Sequence, residues 1–192
     1  MLSKKVILGI DPGTQTMGFG AIIINQDKPE LLGTHELKLD KITDPYRKLR
    51  EIYQTSKEQI DYFKPHEIAI ESLFYATNPQ SLLKLGRAQG VAIAAVISKN
   101  VSVTEYSPRK VKKSITGRGD ASKEQIAKML MNILSLKSIP NKFDITDALA
   151  VAMCHYYNRN SMNLGKPTYG SWSSFIKDNS HRIADRKKTD KD

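Results

Sequence analysis

Val6-Ile7-Leu8-Gly9-Ile10-Asp11-Pro12-Gly13-Thr14 is the stretch on which the fold turns. The run is short, apolar and rich in branched side chains, and it is closed by turn residues. That pattern predicts a central strand buried on both faces over 6–11. The strand ends on an acid, Asp11. A carboxylate at the end of a buried run is costly unless it is paired or bound to a cation. Pro12-Gly13-Thr14 then supplies turn chemistry.

The pattern repeats outward along the chain. Strands are predicted over 18–24 and 31–39, joined by a polar turn at 25–28, so the first three strands form an antiparallel meander. Asp44-Pro45 reads as the N-cap and first residue of a helix, which Lys64-Pro65-His66 stops. A short buried strand follows at 67–71 and ends on a second acid, Glu71. Asn78-Pro79 opens a helix to about 98, and a fifth strand covers 101–106. Ser122 with Gln125 forms a capping box for another helix, and the last helix spans 143–158. An antiparallel meander feeding parallel strands through helical crossovers gives an α/β fold. Its sheet is mixed and five-stranded: the first three strands antiparallel, the fourth and fifth parallel, with helices on both faces.

The last helix begins Phe143-Asp144-Ile145-Thr146-Asp147, with two acids three apart on one face. Ligands in α/β sheets sit at the carboxyl ends of the strands. Asp11 and Glu71 are placed to face each other there, with Asp144 and Asp147 pointing at the same edge. Each acid alone has a simpler role open to it. Asp144 can be an N-cap, Asp147 a favourable charge near a helix N-terminus, Glu71 the partner of a surface lysine, and Asp11 part of a phosphate-binding turn. Together, four carboxylates carry −4 and two Mg²⁺ carry +4. That balance suits a two-metal site with ions ~3.5–4 Å apart, the arrangement that clamps the attacking and leaving oxygens of an in-line displacement.

The chain has 192 residues, enough for one domain with a sizeable core. With 30 Lys+Arg against 20 Asp+Glu its net charge is +10, which points to a phosphate-rich partner. A single cysteine, Cys154, excludes an internal disulfide framework and fits a reducing compartment. The longest apolar run, 91–97, is too short to span a bilayer, and 1–5 lacks a signal-peptide pattern. A cytoplasmic, non-membrane protein is expected. The composition shifts near 160, so 1–159 is expected to form the domain. Residues 160–192 are expected to form a flexible basic tail, with Trp172, Phe175 and Ile176 as a small docking patch. His155, eight residues beyond Asp147, lies ~12 Å along the same helix, too far to share an ion, and reads as structural.

Four motifs stand in an order and spacing that resemble one family. They are Gly9-Ile10-Asp11-Pro12-Gly13-Thr14, Ala69-Ile70-Glu71-Ser72-Leu73-Phe74, Leu83-Lys84-Leu85-Gly86-Arg87-Ala88-Gln89-Gly90 and Asp144-Ile145-Thr146-Asp147-Ala148-Leu149-Ala150. The family is RuvC, the crossover junction endodeoxyribonucleases or Holliday junction resolvases, and the resemblance covers roughly residues 5–158. It implies an RNase H-like fold and a homodimer that nicks opposed strands of a four-way DNA junction. It also implies Mg²⁺ dependence with Mn²⁺ able to substitute, 5′-phosphate products, and cooperation with a branch-migration complex of RuvA- and RuvB-type proteins. Carried over residue by residue, it makes Asp11, Glu71, Asp144 and Asp147 the catalytic metal ligands. It places Lys112 and Lys123 near the scissile phosphate.

Other residues join these as candidate DNA contacts. Phe74, three residues after Glu71, is placed to stack on an unpaired base; packing in the core is the other role open to it. Arg109, Lys110, Lys113 and Arg118 lie in a basic stretch suited to phosphate contact or simply to solvent. Gly86, Gly90 and Ala94 form a small-residue face that resembles the family's dimer region; packing on the sheet is the alternative. Two other functions remain open at this level. An actin-like nucleotide-binding ATPase would share Asp11-Pro12-Gly13-Thr14, although no second Asp-x-Gly phosphate loop is found, and a non-catalytic junction-binding protein would share the charge.

Overall fold

A computed structural model of the chain describes residues 4–73, 78–136 and 143–163, together with Ser173 and Ile176. The expected aromatic at Phe74, and Trp172 and Phe175 of the expected docking patch, lie outside the described residues, as does most of the expected tail. The chain divides into two units, Met1–Arg159 and Asn160–Asp192. In the second, Ser173 and Ile176 are helical and exposed.

The first unit is built on one mixed sheet. Strand β1 (Lys5–Asp11) is flanked by β2 (Thr16–Asn25) and β4 (Glu67–Glu71), with β3 (Lys28–Lys38) and β5 (Ser102–Tyr106) at the edges. The order β3-β2-β1-β4-β5 has antiparallel pairing among the first three strands and parallel pairing from β1 through β4 to β5. This is the sheet expected from the sequence. Gln26 and Asp27 turn β2 into β3, both with positive φ (49° and 59°), the left-handed pair that matches the twist of a tight hairpin.

Side chains of β1 alternate between two cores. Leu8 and Ile10 join Phe19, Ile68 and Ile70 under helices α1 (Pro45–Phe63) and α2 (Pro79–Ser98). Ile7 joins Ala69, Val111, Leu130 and Leu149 under α3 (Pro108–Thr116), α4 (Lys123–Ile133) and α5 (Phe143–Asn163). The start of α1 is capped by Asp44, whose Oδ1 accepts from the Arg47 amide at 2.6 Å, and its end is marked by left-handed Lys64. Both parts of the Ser122–Gln125 capping box form at α4.

Three features differ from the sequence reading or add to it. Helix α3 occupies part of the basic stretch, for which no element was assigned. Ser107 caps it, Pro108 opens it, and Val111 and Ile115, four apart, anchor it in the core. Helix α5 continues to Asn163 rather than ending at Asn158, since neither Gly nor Pro occurs before Gly165. Helix α2 is long and apolar enough, by length and composition, to cross a membrane, although its longest unbroken apolar run is not. Its inner face, Ala88, Ala92, Ala95 and Val96, is nonetheless buried in the protein.

Close approach of α5 to the sheet requires glycine at two places. A Cβ on Gly9 would overlap the Ala148 carbonyl and crowd Ala152, and one on Gly18 would overlap the Asp144 carbonyl. The absence of those side chains lets the helix rest directly on β1 and β2. Residues Ala148 to Cys154 are buried around the whole circumference of α5, as expected of a helix enclosed within a core.

Candidate active site

Parallel pairing of β1 with β4 runs through Ile10 and Ile70, so Asp11 and Glu71 follow as the next residues of both strands at one edge of the sheet. Asp11 also pairs across β2 with Gly18. Gly18 is the residue against which the Asp144 backbone rests, so the start of α5 is seated beside Asp11. Asp147 follows one turn on. Helices α1, α2 and α3 also begin at this edge, since each follows a strand that ends there.

Asp11 lies within electrostatic reach of the other three acids. Burial, then the charges of Glu71, Asp147 and Asp144, push the Asp11 carboxyl well above the usual carboxylate range, and Lys123 opposes them. Burial and Asp147 push Glu71 up to about 7, against the pull of Lys123 and Lys112. Ionising all four together would put excess negative charge in a low-dielectric place, and the raised values express that cost.

Two of the four are engaged by neighbours. The Thr16 hydroxyl donates to Asp144 Oδ2 at 2.5 Å. Lys123 Nζ donates to Asp147 Oδ2 at 2.6 Å, with Asp147 largely covered and Lys123 half exposed. Among the described residues no three His, Cys, Asp or Glu side chains are poised around a single ion position. The arrangement is thus a cluster of repelling acids, partly neutralised by a lysine, and not a closed chelate. Its chemistry does fit a hard cation: the donors are all carboxylate oxygens, with no thiolate or imidazole, as Mg²⁺ or Mn²⁺ prefers.

The basic candidates are distributed around this edge. Lys112 sits on α3, half-buried and near enough to influence Glu71. Arg109, Lys110 and Lys113 are exposed on the same helix, Lys110 with its ammonium 4.8 Å from the centre of the Tyr106 ring. Arg118 is paired with Asp120 at 3.1 Å in the following turn. That pair is exposed on both sides and so holds weakly.

Sequence reasoning passed over two positioning groups. Thr16 holds Asp144 across 128 positions of chain. Gln89, buried on α2, donates through Nε2 to the Glu71 carbonyl at 3.3 Å and to Glu105 at 3.0 Å, fixing the end of β4. The only signal for Gln89 was a polar residue on the inner face of an apolar helix. His155 is structural, as its spacing indicated: Nδ1 meets the Tyr106 hydroxyl and Nε2 meets Glu67, each at 2.9 Å.

Comparison with known proteins bears on the family and the fold. The family described as crossover junction endodeoxyribonuclease RuvC matches residues 7–155. A crossover junction endodeoxyribonuclease RuvC from Christiangramia forsetii is 49% identical over 181 residues, covering 94% of this chain and 94% of the relative. The solved RuvC of Thermus thermophilus superposes with a TM-score of 0.74 at 31% identity, covering 81% of this chain and 96% of that one. The same protein in complex with a Holliday junction substrate gives 0.72 at 30%, with the same coverage. The mixed sheet with its two helical layers is therefore RNase H-like, and the chain belongs to the RuvC family of crossover junction endodeoxyribonucleases.

Proposed function

We propose that this protein resolves four-way DNA junctions in homologous recombination and repair by cutting opposed strands symmetrically, in a reaction that requires Mg²⁺. The observation that carries the reading is the meeting of Asp11, Glu71, Asp144 and Asp147 at one sheet edge, with Asp11 and Glu71 driven towards protonation by burial and by neighbouring acids, Asp147 in both cases. The same four would hold two Mg²⁺, with Mn²⁺ able to substitute. When bound, such ions activate water and stabilise the leaving 3′ oxygen.

The chain's own residues do the rest. Thr16 orients Asp144, and Gln89 fixes the backbone that carries Glu71. Lys123 and Lys112 supply positive charge where negative charge builds on the phosphate. Arg109, Lys110, Lys113 and Arg118 hold flanking phosphates, and Phe74 stacks on a base opened at the crossover. A junction has two-fold character, so a symmetric dimer gives each opposed strand its own site. The outward face of α2 towards its C-terminal end, beyond Lys84 and Arg87, suits that contact. Ile97 is 61% exposed, and a side chain added at Gly90 would meet nothing within 4 Å. Residues 1–159 carry the nuclease, 160–192 form a basic extension, and the protein works in the cytoplasm with branch-migration proteins of the RuvA and RuvB type.

The test is incubation with a synthetic four-way junction and with plain duplex, each with Mg²⁺ and with chelator. Paired nicks bearing 5′-phosphates are expected only on the junction with Mg²⁺. Equal cutting of duplex, or cutting in chelator, would rule the proposal out.

A further inference from the structure

A hollow of about 410 Å³ opens at the same sheet edge on the α1–α2 side, outside the acid cluster. Its walls include Thr14, Thr43, Tyr46, Lys48, Lys84 and Arg87. Thr14 belongs to the loop that leaves Asp11, and that loop leads on to Thr16, the residue that holds Asp144. Lys48 reaches from α1 and donates through Nζ to the Thr14 carbonyl at 3.0 Å, so the hollow and the loop are mechanically joined.

Its charge is one-sided. Three cations line it and no acid does. The nearest acid in sequence, Asp44, is turned onto the Arg47 amide as a helix cap. Lys84 and Arg87 stand three apart on one face of α2, both exposed, and like charges so placed on a helix repel. Among the described residues neither forms a salt bridge. Hydroxyls from Thr14, Thr43 and Tyr46 add hydrogen-bond donors, and the Tyr46 ring is 77% exposed. Cations and hydroxyls around an open hollow, with no carboxylate in its lining, make a receptor for a phosphodiester.

We propose that this hollow is a second phosphate subsite, which grips the backbone of the substrate strand on the opposite side of the Asp11 loop from the basic helix α3. The inference rests on the nuclease reading above. With α3 on one side and the hollow on the other, the strand would cross the acid cluster held at both ends. Such a grip orients the scissile phosphate through its neighbours.

The experiment uses the full chain and three proteins: wild type, Lys84→Gln/Arg87→Gln, and a control of equal charge change at the far end of the sheet, Lys28→Gln/Lys64→Gln. All four side chains are exposed, so folding is retained and is checked by thermal melting. Binding to a four-way junction is measured across salt concentrations, using strands in which single phosphates are replaced by neutral methylphosphonates. Expected for Lys84→Gln/Arg87→Gln are a Kd raised ~10-fold and a salt slope shallower by about 2, beyond any change in the control. At one or two phosphates beside the cut, neutralisation weakens wild type but has no further effect in this variant, as coupled contacts require. A loss no greater than the control's, or no coupling to any phosphate, overturns the subsite and leaves the nuclease reading intact. Thermal stabilisation of wild type by ATP that the double substitution abolishes, without coupling to DNA, also overturns it by making the hollow a nucleotide site. Failure of wild type to bind or cut the junction removes both readings together.

Discussion

Lys123, in the first turn of α4, and Asp147, in the second turn of α5, meet in a charge-assisted hydrogen bond of 2.6 Å. Burial pulls the lysine's pKa down, but the hydrogen bond and charge of Asp147, with help from Asp11 and Asp144, more than offset it, and the net shift is upward. The ammonium is therefore fully charged at neutral pH and stands where it partly neutralises the acid cluster. Lys123→Ala is expected to lower kcat by ~10²–10³, as loss of an oriented transition-state donor does. The Mg²⁺ concentration for half-maximal cleavage should not rise, since in the proposed site the lysine and the cation compete for Asp147. A titration showing weaker Mg²⁺ dependence at normal kcat would contradict the assignment.

Asp144→Asn separates charge from capping. Clustered carboxylates repel by roughly 3 kcal/mol per pair at ~5 Å and an effective dielectric of ~20. The asparagine oxygen can still accept from Thr16. Cleavage should vanish while the metal-free protein melts at the same temperature or higher. A large drop in that melting temperature would make Asp144 mainly a structural cap.

The pH dependence follows from Glu71. Its pKa is raised from 4.5 to about 7. In the metal-free fold this acid stays protonated where the unfolded chain has lost its proton, so its contribution to stability is full below 4.5. That contribution is lost as pH rises towards 7, on the order of 3 kcal/mol in all. Cation binding works against protonation and releases protons. Cleavage should therefore rise from pH 6 to 8. Calorimetry of Mg²⁺ binding at pH 6.5, in buffers of different ionisation heat, should show proton release. Buffer-independent heats would place Glu71 outside the cation site.

Lys112→Ala is expected to slow single-turnover cleavage by ~10²-fold while raising the junction Kd by no more than a few-fold. Equal losses in both would make Lys112 an ordinary phosphate anchor.

His155→Phe removes both ring nitrogens from the buried contacts with Tyr106 and Glu67. Stability should fall by about 2–3 kcal/mol, because two partners lose their hydrogen bond. The Mg²⁺ dependence of cleavage should not move, and a shift in it would tie His155 to the site after all.

Much of this was legible in the chain because local chemistry and burial pattern coincide. The apolar runs 6–10 and 68–70, closed by Asp11 and Glu71, gave the two central strands of the site, and Asp44-Pro45, Asn78-Pro79 and Ser122–Gln125 gave three helix starts to the residue. Helix α3 was hidden because its run of cations masks two apolar anchors, Val111 and Ile115. The contacts of Thr16 and Gln89 were not legible, since each joins residues whose nearness exists only after the sheet is assembled. For the same reason the pairing of Lys123 with Asp147 could not be read from their 24-residue separation. Phe74 lies outside the described residues, and the stacking proposed for it rests on the resemblance and on chemistry.

Asp144 and Asp147 share one rigid support, and that support rests on bare backbone at Gly9 and Gly18. They cannot be adjusted one at a time. A methyl group at position 18 would lift the whole rod and carry both oxygens away from the strands in a single movement. Drift is thus all-or-nothing at that seat: a lineage that loses Gly18 displaces both proposed ligands at once, although position 18 carries no side chain of its own.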